Sequence, residues 1–241
     1  MQKRYKELVK QHLASTHSVA TGLRALPKTN GSFAAAQAAW RFYRNPRCSL
    51  PQLAQPLISQ ARRSVPINCQ DFALIMHDWS SLHFTKHFGK SQRIALNNPD
   101  DWGYELQTAL LVSDRDGAPL APVYIGLRAA DGVHSSRRES VLPYRPGLHE
   151  LGRTIGYIES LDLGKPLVHI VDREGDSLLH LRRLMRQKRR FVLRSNDFRR
   201  VEHLGESRLL KEVVESLQDD FRYSREVEYK GHKAQGHSVL G

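Results

Sequence analysis

The spacing of hydrophobic positions changes character several times along the chain. In FAAAQAAWRFY (33–43), Phe33, Ala36, Trp40 and Tyr43 recur at intervals of three and four, the spacing of one helix face. Ser32 stands at the N-cap position and Pro46 ends the run. RNPRCSLP (44–51) predicts a turn into a further helical stretch, punctuated by Pro51, Pro56 and Pro66. Beyond Pro66 the pattern becomes strand-like. DFALIMHD (71–78) is a short apolar run ending in an acid. YELQTALLVSDRDG (104–117) closes on a DRDG turn, and PLAPVYIGLRA (119–129) returns as a hairpin. Residues 147–162 go back to helical spacing, with Leu151, Ile155, Ile158 and Leu161 in phase. A buried-type strand follows in KPLVHIVD (165–172), then a helix in GDSLLHLRRLMRQ (175–187), whose apolar spacing runs through Leu178, Leu181 and Leu184/Met185. RFVLRS (190–195) predicts a strand, SRLLKEVVESL (207–217) a helix and RYSREVEYKG (222–231) another strand. This order predicts an α/β fold with a mixed sheet, preceded by a small all-helical domain. The boundary is placed at Pro66, giving domains 1–66 and 67–241.

Composition agrees with a globular protein: of 241 residues, 40% are hydrophobic and 26% charged. No apolar run approaches the roughly 18 residues of a membrane helix, and MQKRYKELVK lacks the apolar stretch of a signal peptide. No membrane partner is expected. Cys48 and Cys69 form no metal-binding or disulfide pattern, so the expected setting is a reducing cytoplasm.

Charge changes the picture more. The net charge is +12, and residues 1–66 hold eleven basic side chains with Glu7 as their one acid. The remaining 175 residues nearly balance, with 26 basic and 24 acidic groups. A basic domain of this kind releases counterions on meeting a phosphate backbone, so double-stranded DNA is the expected partner. A second basic block spans residues 182–200, where nine Lys and Arg stand against Asp197 alone. Part of it is equally the wet face of an amphipathic helix.

Two predicted strands end in aspartate, at Asp78 and Asp172. An acid at the C-terminal edge of a strand is rigidly held where α/β sheets bind ligands. Two such carboxylates on neighbouring strands repel unless a cation lies between them, and hard oxygen ligands beside phosphate suit Mg²⁺ or Mn²⁺. The chemistry that follows is metal-assisted attack on a phosphodiester. The plain alternative is that each aspartate caps a turn.

At these residues the chain resembles the DDE transposases of bacterial insertion sequences, in the cut-and-paste group that includes the Tn-five transposase. FAAAQAAWRFYRNP (33–46) resembles that group's end-binding helix and its Arg-Asn-Pro continuation. HDWSSLHF (77–84) is similar to the first-aspartate motif, with Asp78, Ser81 and Leu82 in place. VDREGD (171–176) is similar to the second-aspartate motif, and RFVLRS (190–195) to the strand after it. The resemblance runs from about residue 28 to about residue 217, in the family's order. It implies an RNase H-like core behind a helical DNA-binding domain, with Asp78 and Asp172 as catalytic metal ligands. It implies DNA contacts from Arg41, Arg44, Asn45 and Arg194, and a homodimer on paired transposon ends. The family's third carboxylate, a Glu in the pattern Y-x-x-R-x-x-x-E, has no counterpart here; Glu212 and Glu215 come too early and lack the Tyr and Arg. On this reading the core is incomplete, a truncated copy. The alternative is a DNA-binding fragment without catalysis.

Overall fold

The computed structural model describes residues 32–98, 100–145, 148–217, 223–229 and 232–238, with Lys3, Lys6 and Lys10. The first described elements are the helices α1 (Ser32–Tyr43) and α2 (Leu50–Asn68). Strands β1 (Ala73–His83), β2 (Ile94–Ala95), β3 (Trp102–Ser113), β4 (Pro119–Ala129), β5 (Gly132–Ser135) and β6 (Arg138–Leu142) follow. Then come α3 (Leu148–Glu159), β7 (Leu167–Val171), a 3₁₀ turn at Arg173–Gly175, α4 (Leu178–Arg186) and β8 (Arg190–Leu193). The last described elements are β9 (Arg200–His203), β10 (Glu206–Leu209), α5 (Leu210–Ser216), β11 (Tyr223–Tyr229) and β12 (His232–Ser238).

Eight strands form one sheet in the order β6-β5-β4-β3-β1-β7-β8, with β2 pairing β3. β1, β7 and β8 run parallel, and β4, β5 and β6 antiparallel. The sheet is therefore mixed and the fold α/β. The helix α4 makes the crossover from β7 to its parallel neighbour β8, as parallel strands require. β9–β10 and β11–β12 are separate antiparallel pairs.

Helix α2 runs unbroken through Pro51, Pro56 and Pro66, where the sequence predicts a helical stretch punctuated at those positions. Its start is a capping box: Ser49 Oγ accepts from the Gln52 N–H at 3.4 Å, and Gln52 Oε1 accepts from the Ser49 N–H at 3.3 Å. Pro51 lies in the first turn, where its missing N–H costs nothing. Interior prolines cost about 3 kcal/mol each. The opposing gain is a buried stripe at helical spacing, Ala54, Ile58, Ala61 and Val65.

The chain divides into two compact units. One comprises the described parts of Met1–Arg63 with Trp79–Thr108 and Ala121–Tyr144; the other comprises Ser64–Asp78, Ala109–Leu120 and the described parts of Arg145–Gly241. In the first, α1 buries Ala39 and Phe42, with Cys48 and Leu53 packed against them. The apolar face expected from the spacing is one residue out of phase. Trp40 and Tyr43 are 53% and 54% exposed, and Arg44 stacks on Trp40 at 4.6 Å. An Ala-rich run offers several equally apolar faces, so spacing alone does not choose between them.

In the second unit α3 buries Leu151, Ile155 and Ile158 with Thr154 and Glu150, in the predicted phase. The entry to β1 is fixed by the turn after β3. Asp114 accepts the N–H groups of Gln70, Asp71 and Phe72 at 2.6, 2.8 and 2.8 Å. Helix α4 follows the expected spacing at Leu184, which is buried, and at Leu181, which is half-buried, but Leu178 and Met185 are exposed, as is Leu179, and His180 is buried instead. Cys48 and Cys69 are not bonded to each other.

Candidate functional site

Asp78 does not end its strand. It is the sixth residue of β1, which continues to His83 because β3 still pairs with it. The pairing with β7 runs from Ala73↔Leu167 to Met76↔Ile170, so Asp78 lies where the β7 neighbour runs out. Asp172 follows the last residue of β7. Carrying the β1–β7 register on by two residues sets Asp78 level with Asp172. The β7–β8 register, Val168↔Arg190 to Val171↔Leu193, sets Arg194 level with Asp172 in turn. The Arg194 N–H donates to the Val171 carbonyl at 3.0 Å, extending that pairing. Alternation along the strands turns His77 and Val171 inward and leaves Asp78, Asp172 and Arg194 exposed. By register, Asp78, Asp172 and Arg194 thus fall at one backbone level on β1 and just past the ends of its parallel neighbours β7 and β8.

Asp172 also has the capping role of the plain alternative. Its Oδ1 accepts the Glu174 N–H at 3.0 Å, opening the 3₁₀ turn. The turn is tight because Gly175 sits on Val171: a Cβ there would come within 2.3 Å of the Val171 Cγ1. That close approach keeps Asp172 at the end of β7.

Behind the aspartates runs a polar chain from the buried His77 and His169 to the half-buried Glu159 and Arg189. His77 Nε2 lies 2.9 Å from His169 Nδ1, His169 Nε2 lies 3.2 Å from Glu159 Oε1, and Arg189 pairs with Glu159 Oε2 at 2.9 Å. The tautomers follow from the carboxylate end. Glu159 can only accept, so His169 donates from Nε2 and accepts at Nδ1, and His77 donates to it from Nε2. His77 Nδ1 is left buried with no hydrogen-bond partner. Burial, with His169 and His180 near by, pushes the His77 pKa down to about 3. Burial also lowers His169, against the pull of Glu159.

A second network braces the segment after β8. Asp176, whose side chain is 5% exposed, accepts from Ser195 Oγ at 3.0 Å, from the Asn196 N–H at 2.8 Å and from Arg199 through both Nε and Nη2. Burial works against ionisation of Asp176, but the Asn196 N–H, the Arg199 guanidinium and Ser195 outweigh it and hold the carboxyl below the usual range. Arg173 pairs with Asp197 at 3.1 Å across the same segment. Two members of the basic block, Arg189 and Arg199, are therefore committed to internal pairs.

Other acids are committed too. Glu212 caps α5 by accepting the Leu209 N–H at 2.9 Å. Among the described residues no group of three or more His, Cys, Asp or Glu is arranged to hold a metal ion. In the first unit Arg41 is exposed on α1, Arg44 lies over Trp40, and Asn45 Oδ1 accepts the Arg47 N–H at 3.0 Å. No described helix is long and apolar enough to cross a membrane.

Sequence reasoning names Asp78, Asp172 and Arg194 but misses both networks behind them. The signal is present in ALIMHD and LVHIVD, where a histidine occupies an inward position of each strand. Models of known protein families give no match to the chain, and no curated protein matches its sequence.

Proposed function

We propose that this chain is a DNA-binding protein of the cut-and-paste DDE transposase type, with an RNase H-like core, acting on transposon ends in the cytoplasm as a homodimer. The observation that carries the reading is the shared level of Asp78, Asp172 and Arg194 on β1, β7 and β8. The strand order supports it, with an antiparallel group and a parallel group in one sheet. Asp78 and Asp172 are the hard oxygen donors for Mg²⁺ or Mn²⁺. Such an ion supplies charge neutralisation at the phosphate and a more acidic attacking hydroxyl. The chain's own residues do the rest. The buried His77 and Val171 anchor β1 and β7, and with them the backbone that carries the two carboxylates. Arg194 takes a non-bridging phosphate oxygen.

A second reading, a DNA-binding protein without catalysis, is favoured by the commitment of Asp176 to Arg199 and of Glu212 to the α5 N-terminus. Cleavage of labelled DNA in Mg²⁺ separates the two. The enzyme reading expects cutting that Asp78→Ala abolishes; the second expects a mobility shift and no cutting.

The DNA-binding half of the reading has its own test. Replacing Arg41 and Arg44 by Ala is expected to weaken duplex binding and to flatten the log–log salt dependence by about 0.9 for each phosphate no longer neutralised. Fluorescence anisotropy across a salt series checks this. Binding that ignores salt, or is unchanged in the double variant, contradicts the assignment of α1.

A further inference from the structure

Between Asp78 and Asp100 the chain carries no acid, while Lys86, Lys90 and Arg93 flank Phe88 in the sequence. Phe88 is 85% exposed, at a turn between β1 and β2. Its exposure is built rather than frayed. Arg93 Nη1 donates to the Phe84 and Thr85 carbonyls at 2.8 and 3.1 Å. The His87 N–H reaches the Phe84 carbonyl and the Lys90 N–H the His87 carbonyl, each at 3.0 Å. Tyr104 Oη donates to the Ser91 carbonyl at 2.6 Å. Lys90 Nζ lies 4.4 Å over the Phe84 ring, and the Arg93 guanidinium 5.9 Å from the Phe88 ring. Gly89, next to Phe88, has no neighbouring atoms within 4 Å of a Cβ position.

We propose that the 84–93 loop is a contact for single-stranded DNA, in which Phe88 stacks on an unpaired base while Lys86 and Lys90 hold the flanking phosphates. This rests on the DNA-binding reading above and adds to it a second strand state that the loop recognises. One aromatic face with cations on both sides is the arrangement that non-specific single-strand binding uses, because every base offers a π-face. A loop already held by backbone hydrogen bonds loses little freedom on binding. A membrane surface fits less well. Insertion needs an extended apolar face, and Phe88 is the one large apolar side chain among Lys86, His87, Phe88, Gly89 and Lys90.

The test uses the full chain and a labelled oligo-dT, with a duplex and anionic phosphatidylserine vesicles in parallel. Phe88→Ala is expected to weaken oligo-dT binding about tenfold. Phe88→Trp is expected to keep it and Phe88→Leu to behave like Ala, since stacking needs a ring rather than an apolar group. The salt slope should stay unchanged in Phe88→Ala and flatten in a Lys86→Gln/Lys90→Gln variant. Circular dichroism confirms that the variants fold. Unchanged oligo-dT affinity in Phe88→Ala, full rescue by Leu, or a Phe88-dependent binding to vesicles alone would overturn the proposal. A wild-type chain that binds duplex but no oligo-dT sinks the loop assignment and leaves the proposed function standing. A chain that binds neither sinks both.

Discussion

Lowering the pH from 7 to 5 is expected to cost the folded chain about 2 kcal/mol through His77 alone. In the unfolded chain this histidine titrates near its ordinary value of 6.5, whereas burial in the fold holds it at about 3. Between those values the unfolded state binds a proton that the folded state refuses. Stability is therefore full above pH 6.5 and drains away as the pH falls toward 3. The refusal has a structural cause: His77 Nε2 already donates to His169, so the incoming proton must go to the buried Nδ1, which faces no acceptor. His169 and His180 are also lowered by burial and add to the same slope. Urea unfolding at pH 7 and pH 5 measures it. A His77→Leu variant should start less stable yet lose about 2 kcal/mol less between the two pH values. Equal pH dependence in the two proteins would contradict the buried neutral pair.

Asp176→Ala is expected to destabilise the fold by about 3 kcal/mol. The loss combines a nearly buried carboxylate with the partners it leaves behind, namely the Arg199 guanidinium, the Asn196 N–H and the Ser195 hydroxyl. Arg199 keeps 26% of its surface in water, which moderates the cost of stranding it. Asp176 is held below the usual carboxyl range, so it is ionised at both pH 7 and pH 5. Its removal should therefore cost the same at both, unlike the change at His77. A change under about 0.5 kcal/mol, the range of an ordinary surface substitution, would show that the brace contributes nothing.

The strands of the parallel group are legible in the sequence because each is a short apolar run bounded by turn residues, and α3 because its buried positions keep strict helical spacing. The short strands β5, β6, β9 and β10 are not. Four or five residues such as Gly132–Ser135 have too little alternation to show a period, and only pairing with a neighbour makes them strands. The phase of α1 fails, and that of α4 holds only at Leu181 and Leu184, for another reason. In α4 a histidine, His180, is buried while Leu178 and Leu179 face solvent, so the polar and apolar labels are partly exchanged. At the candidate site the two aspartates stand out by their position after apolar runs. The extension of β1 past Asp78 depends on pairing with β3, which no local pattern near residue 78 encodes. The Asp176–Arg199 brace joins residues 23 apart, beyond the reach of any spacing argument.

Everything proposed about catalysis depends on Asp78 and Asp172 forming one site for a divalent ion. Calorimetric titration of Mn²⁺ into the wild-type chain, Asp78→Asn and Asp172→Asn tests this most directly, because both variants keep the shape of the side chain and the Asp172 cap retains an acceptor oxygen. The expected result is one saturable site in the wild type and a drop of at least about tenfold in affinity in each variant, as follows when one of two carboxylate ligands gives up its charge. Equal Mn²⁺ affinity in all three proteins would contradict the shared site and leave Asp172 with its turn-capping role alone.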